Sequence, residues 1–302
     1  MPSDNRLAST DGVSLSLHDY NPELLSPTVL FSHATGFHGR VFDPIAKELI
    51  DTHHCITFDY RGNGDSTLPS DWYVRWSAYG DDALVAARYA ARNGPVIGVG
   101  HSMGGAALVM AALRAPQLFR ALILFEPIIF PPRPSEQTSG PNHMAEGARK
   151  RRSTFASFDD ALANYASKPL LGVLHPEALS AYVNFGFSRQ PDGSVALKCS
   201  PEHEARTYET GALHETWEQL AHLTIPTWVL SGADQSQGPS SIAPQTAAAI
   251  PGPQTIKFDT PSTIAPLIAA AIPGSHFIKF DDLGHLGPMQ DPARFVAIVR
   301  QI

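Results

Sequence analysis

The stretch Pro95-Val96-Ile97-Gly98-Val99-Gly100-His101-Ser102-Met103-Gly104 decides the reading of this chain. Its first half is apolar and β-prone, whereas Ala106 to Ala115 are rich in Ala, Leu and Met and read as a helix. Gly100-His101-Ser102-Met103-Gly104 therefore falls on a strand-to-helix turn, the context that makes G-x-S-x-G a nucleophile elbow. Side chains beside so sharp a turn would collide, hence glycine on both flanks of the serine. Such a turn lifts Ser102 to the C-terminal edge of a sheet, at the positive end of the following helix.

Outward from the elbow, apolar runs alternate with segments of helical period. The expected strands are Val13–His18, Thr28–Ser32, Cys55–Asp59, Val96–Gly100, Ala121–Phe125, Thr227–Ser231 and Phe277–Phe280. Helices are expected over Val41–Ile50, Tyr79–Arg92, Met103–Ala115, Glu215–Ala221, Ser241–Ile250 and Pro292–Arg300. Alternation of this kind implies parallel strands joined by crossover helices. It stops between about Pro131 and Gly211, where a Pro-Pro-Arg-Pro run is followed by helical pieces around Ala148–Phe155 and Phe158–Tyr165. The expected organisation is a core from residues 1–130 and 212–302, with a helical cap from 131–211.

Composition fits one catalytic α/β domain with an insertion, since 302 residues can bury a sizeable core. A net charge of −7 argues against nucleic acid or an anionic membrane as the main partner. The basic run Arg149-Lys150-Arg151-Arg152 reads as a solvated helix face. Two cysteines give no disulfide framework. Residues 1–12 are polar without an apolar signal core, and no segment approaches a membrane span, so a cytoplasmic location is expected.

Ile242–Asp259 and Ile264–Asp281 form a tandem repeat at an offset of 22 residues, sharing I-A-P, A-A-A-I-P-G and I-K-F-D. Two copies do not make a solenoid. Both cannot add strands in series, because that would push the late histidine outward by about 4.8 Å, one strand spacing. The second copy is expected to keep the strand slot and the first to be extruded, at little cost in loop entropy.

By its motifs the chain resembles the α/β-hydrolase superfamily over essentially its whole length. The motifs are Ser32-His33-Ala34-Thr35-Gly36, Asp59-Tyr60-Arg61-Gly62-Asn63-Gly64-Asp65-Ser66, the Ser102 elbow, and Gly284-His285. The resemblance implies an α/β-hydrolase fold: a mostly parallel central sheet flanked by helices, with a helical cap inserted after the sixth core strand. Ser102 is then the nucleophile, and needs a general base because its alkoxide is inaccessible at neutral pH. Of thirteen histidines, His285 has the right position, after the last strand and behind a glycine. The oxyanion hole falls to the backbone N–H groups of Met103 and Thr35. His33 and His101 take structural or site-lining roles, and Asp59, Arg61 and Asp65 brace a turn.

Two residues compete to be the acid that orients His285. Asp234 follows the Thr227–Ser231 strand, the usual place in the family, and is favoured. Glu126 ends the Ala121–Phe125 strand and takes the alternative position known from haloalkane dehalogenases. Removing one repeat copy shortens the Asp234–His285 separation from 51 to 29 residues, an ordinary family spacing.

A serine nucleophile with an oxyanion hole suits attack at a carbonyl carbon. It does not suit carbon–halogen or epoxide cleavage, because the resulting serine ether offers water no carbonyl. The reading is a serine hydrolase that cleaves a carboxylic ester of a small, fairly apolar substrate through an acyl-enzyme. No metal or organic cofactor is implied. Cap aromatics among Phe155, Phe158, Tyr165, Tyr182, Phe185 and Phe187 are expected to wall the pocket, with His33, Phe155 and Tyr182 as candidate substrate contacts. Rival readings are a lactonase, a thioesterase, a carbon–carbon bond hydrolase, and a ligand receptor on the same fold.

Overall fold

The computed structural model describes residues 2–24, 27–132, 142–233 and 264–302. Its backbone is an eight-stranded sheet in the order β1-β2-β4-β3-β5-β6-β10-β11. The strands are β1 Ser3–Ala8, β2 Ser14–Asp19, β3 Thr28–Ser32, β4 His54–Phe58, β5 Val96–His101, β6 Phe119–Phe125, β10 Thr227–Ser231 and β11 His276–Lys279. Only the β1–β2 and β2–β4 pairs are antiparallel; from β4 to β11 every pair is parallel. Parallel neighbours require crossovers, and helices α1 Asp43–Leu49, α2 Trp76–Ala90 and α3 Met103–Arg114 supply three of them. This is the α/β-hydrolase fold.

Side-chain alternation divides the core between the two faces of the sheet. Leu30, Val96, Leu122 and Leu124 join one apolar cluster with α2 and α3. Val29, Phe31, Ile97, Val99, Ile123 and Phe125 join the other, with Ile45 and Leu49 of α1 and Phe295 and Val299 of the last helix, Pro292–Val299. The second cluster runs on into Phe155, Tyr165, Tyr182 and Phe187, so the inserted segment shares a core with the sheet.

That segment holds α4 His143–Arg149, α5 Phe158–Ala166, α6 Pro176–Gly186 and α7 Pro201–Thr210. It also holds a small antiparallel sheet of β7 Thr154–Phe155, β8 Phe187–Arg189 and β9 Val195–Leu197, in the order β7-β9-β8. The cap is therefore mixed rather than helical. Phe155 lies on β7, not on a helix, because α4 ends at Arg149 and the chain turns there. The basic run also departs from expectation. Arg149 stays at the surface, pairing with Glu202 and Glu209, but Arg151 lies past the helix end and turns inward to Glu204. β1 was not expected either: it is an edge strand, exposed or half-exposed at every residue, and so carries no apolar alternation.

The second repeat copy contributes the helix Ala265–Ala271 and β11, which pairs in parallel with β10. Residues 242–263, the first copy, lie outside the described residues, as does the expected helix Ser241–Ile250. Glu215–Ala221 is realised as a 3-10 turn over Trp217–His222.

A buried ion pair locks the segment after β4. Arg61 and Asp82 are both fully buried, and the guanidinium donates to both carboxylate oxygens, at 2.8 Å and 2.6 Å. Asp59 accepts from the backbone N–H groups of Gly39 at 2.8 Å and Asp65 at 2.9 Å, bracing the turn as expected. Arg61 also donates to Asp11 Oδ2 at 2.7 Å, but Asp11 is 35% exposed, so removing Asp82 takes away the buried counter-charge of the guanidinium, at a cost of about 3–5 kcal/mol. Asp82→Ala is therefore expected to lower the unfolding free energy from urea titrations by that amount; a loss under about 1 kcal/mol would contradict the role.

Five histidines, four of them buried and His214 half-buried, are held neutral by desolvation. Burial pulls His33, His38, His203 and His214 down to about 4, and His101 down to about 3. Each folded value is below the unfolded one near 6.5, so the unfolded chain binds protons that the folded chain refuses. Their contribution is complete above about pH 6.5 and falls away toward about pH 4, by roughly 1.4 kcal/mol per histidine per pH unit. His18 works the other way: desolvation opposes its charge, but Asp59 and Asp4 raise its pKa overall. Urea titrations are expected to show a marked fall in stability from pH 7 to pH 5. A flat profile would mean that these rings are not held neutral.

Candidate active site

Ser102 stands between β5 and α3 at φ 56 and ψ −118, a conformation that an L-residue adopts only under constraint. The constraint is local packing. A Cβ on Gly100 would come within 2.6 Å of Gly105 Cα, and one on Gly104 would strike the backbone of Ser32 and His33. Ser102 N–H donates to Phe125 O at 3.0 Å, and Ser102 O accepts from Ile128 N–H at 3.2 Å. The exits of β5 and β6 are thus stitched together around the serine.

Glu126, the first residue past β6, also has a positive φ, 44. Its N–H donates to Leu230 O at 2.8 Å. Among the described residues the carboxylate accepts from Gly232 N–H on Oε1 at 2.9 Å and from His285 Nδ1–H on Oε2 at 2.5 Å. Both side chains are buried, 3% and 7% exposed, so little water screens the contact. Donation from Nδ1 fixes the tautomer and leaves Nε2 as the basic nitrogen. Asp234, the favoured acid, lies outside the described residues. The described partner of His285 is Glu126.

The loop that carries His285 is pinned at three points. Ala233 N–H donates to Leu283 O at 2.7 Å, and Gly284 N–H donates to Gln290 Oε1 at 2.8 Å. His101 Nε2–H donates to His285 O at 2.7 Å, with the two rings 5.0 Å apart. Burial, then the neighbouring His285, keeps His101 uncharged. His101 therefore acts on the backbone of His285. Its placement inside the elbow motif was visible in the sequence, but its partner 184 residues away was not.

Met103 is the first residue of α3, so its N–H has no acceptor within the helix. Thr35 N–H, in the loop after β3, makes no hydrogen bond among the described residues. Both expected oxyanion donors are thus uncommitted. His33 holds that loop. Its Nδ1–H donates to Ala34 O at 2.8 Å, and its Nε2 accepts from Tyr60 N–H at 3.0 Å. With both nitrogens spent and no exposure, His33 serves the loop and not a substrate contact.

The cap closes over this edge. Tyr182 of α6 packs its ring 5.0 Å from Phe37, which lies 6.5 Å from His101. Phe155 is buried against Phe187 and Tyr165, at 5.8 Å and 5.9 Å, inside the cap. Ser102 and His285 are 4% and 7% exposed, so the site is sheltered. Two surface cavities, of about 460 Å³ beside Trp76 and His214 and about 670 Å³ beside Arg40 and Phe185, do not touch it. Among the described residues, no group of three or more His, Cys, Asp or Glu could hold a metal ion. No helix among them is long and apolar enough to cross a membrane.

The chain matches a model of the alpha/beta hydrolase family over residues 29–298. It is 36% identical over 100 residues to 2-(acetamidomethylene)succinate hydrolase of Mesorhizobium japonicum, covering 33% of this chain and 35% of that one. It is 30% identical over 118 residues to the lipase LipV of Mycobacterium tuberculosis, covering 39% and 43% respectively. These matches span less than half the length of either relative. A crystal structure of E-2-(acetamidomethylene)succinate hydrolase superposes with a TM-score of 0.76 at 20% identity, covering 100% of this chain and 98% of that one. With the family model spanning most of its length, the chain belongs to the alpha/beta hydrolase family.

Proposed function

We propose that this protein is a serine hydrolase that cleaves a carboxylic ester through an acyl-enzyme, with Ser102, His285 and Glu126 as its triad. The observation that carries the reading is the buried 2.5 Å hydrogen bond from His285 Nδ1 to Glu126, beside a serine at a constrained strand-to-helix turn. Glu126 holds the imidazole in the tautomer that leaves Nε2 basic and stabilises the imidazolium that forms. Nε2 takes the Ser102 proton as Oγ bonds to the acyl carbon. The carbonyl oxygen becomes an oxyanion within reach of the Met103 and Thr35 N–H groups, at the positive end of α3. His285 then protonates the departing alkoxide. In the second half, water loses a proton to His285, attacks the acyl carbon, and releases Ser102 with its proton restored. The lipase among the relatives supports ester chemistry, and the other curated relative is named as a hydrolase.

A fluorophosphonate probe is expected to label Ser102, and Ser102→Ala to abolish labelling and turnover. Labelling that survives the substitution would remove Ser102 from the mechanism. Glu126→Gln keeps the shape but loses the charge, and is expected to lower kcat by about 10²–10⁴-fold with little change in KM. Asp234→Asn, measured alongside, is expected to stay within about threefold of the parent. The reverse ranking would move the acid to Asp234.

A further inference from the structure

We propose that Tyr165 and Tyr182, backed by the Arg151–Glu204 pair, form a subsite in the cap that binds a neutral oxygen acceptor of the substrate, such as a ketone or amide carbonyl. This inference rests on the ester-hydrolase reading and adds to it the kind of substrate taken. Arg151 enters the cap interior with its side chain 15% exposed, and Glu204 is 8% exposed. The guanidinium commits three of its five N–H groups, donating to Glu204 Oε2, to Tyr182 Oη, and to Tyr165 Oη at 3.1 Å. Each phenol is thus an acceptor toward Arg151, which turns its own proton away from the guanidinium. Among the described residues, neither hydroxyl donates to anything. Both tyrosines are more than nine-tenths buried, 4% and 2% exposed, where an unmade hydrogen bond is costly. Two polarised donors without acceptors call for an oxygen on a ligand.

The subsite adjoins the reaction centre. The Glu204 carboxylate lies against Gly36, where an added Cβ would come within 2.5 Å of Oε1, and Gly36 follows the oxyanion residue Thr35. Gly36 also has φ +76, so the loop conformation and the Glu204 contact both favour glycine there. Tyr182 reaches the catalytic side through half-buried Phe37, which packs against both Tyr182 and His101.

Charge selects the ligand class. A lone buried arginine would draw a carboxylate, but Glu204 already supplies the compensating charge. Tyr208 donates to that carboxylate at 3.4 Å and adds no charge. An incoming carboxylate would lose its hydration, face a cluster with no net charge, and meet Glu204 as a like-charged neighbour. A neutral carbonyl takes both phenol protons without that penalty.

The test uses p-nitrophenyl esters of matched acyl length ending in an alkyl group, a methyl ketone or a carboxylate. The parent is expected to favour the ketone over the carboxylate by at least about tenfold in kcat/KM. The double variant Tyr165→Phe and Tyr182→Phe is expected to lose about tenfold more on the ketone than on the alkyl ester, through KM, with its folding checked separately by circular dichroism and a urea melt. Glu204→Gln uncovers the Arg151 charge and is expected to move selectivity toward the carboxylate by about tenfold or more. Equal losses on all three esters, or a parent that prefers the carboxylate, would overturn the subsite. Calorimetric titration of Ser102→Ala with the same three compounds ranks binding without turnover. If no ester is cleaved and the fluorophosphonate fails to label Ser102, the hydrolase reading falls, while the calorimetric ranking still decides the subsite.

Discussion

The arrangement depends on a single backbone hydrogen bond, from Ser102 N–H to Phe125 O at 3.0 Å. It joins the ends of β5 and β6 where two adjacent residues are held at positive φ, Ser102 at 56 and Glu126 at 44. Neither conformation would persist in an isolated peptide, since each costs on the order of 1–3 kcal/mol. They persist because the glycines around Ser102 admit backbone where any side chain would collide, and because Glu126 N–H is captured by Leu230 O. The same stitching sets the spacing of Ser102 and Glu126 without any contact from the His285 loop. Rigid elements thus carry Ser102 and Glu126, and a loop delivers only His285.

That loop is restrained from both sides. On one side Ala233 and Gly232 of the β10 exit press against Leu283 and Gly284, so closely that a Cβ on Gly232 would fall 2.5 Å from Leu283 O. On the other side the neutral ring of His101 holds the carbonyl of His285 itself. Desolvation does useful work here. A His101 that protonated near neutrality would place a positive charge 5.0 Å from the His285 ring and oppose any charge there.

Much of this frame was legible in the sequence because it rests on local rules. The glycines of the elbow, the apolar runs and the turn before His285 all act within a few residues. Thr28–Ser32 and Thr227–Ser231 come out with their expected bounds for that reason. The departures have physical causes too. β1 was hidden because an edge strand need not alternate, and β7, β8 and β9 because strands of two or three residues carry no period. Arg151 was hidden by its neighbours: four consecutive basic residues look solvated, but the helix ends at Arg149 and the turn sends one of them inward. Its partner Glu204, 53 residues on, could not be inferred from spacing.

Glu126 and Asp234 compete in the sequence for a geometric reason. β6 and β10 are adjacent parallel strands that end at the same edge, so residues past either one open onto the same space. A carboxylate from β6 starts one strand spacing, about 4.8 Å, away from one borne by β10. Glutamate has a methylene more than aspartate, and Glu126 spends that length crossing toward β10. Its Oε1 takes the N–H of Gly232, just past the end of β10, while Oε2 takes His285. The carboxylate thus sits at the exit of the neighbouring strand, the position from which a β10 acid would act. Motif spacing along one strand cannot register this, because what places the group is a side chain reaching sideways across the sheet.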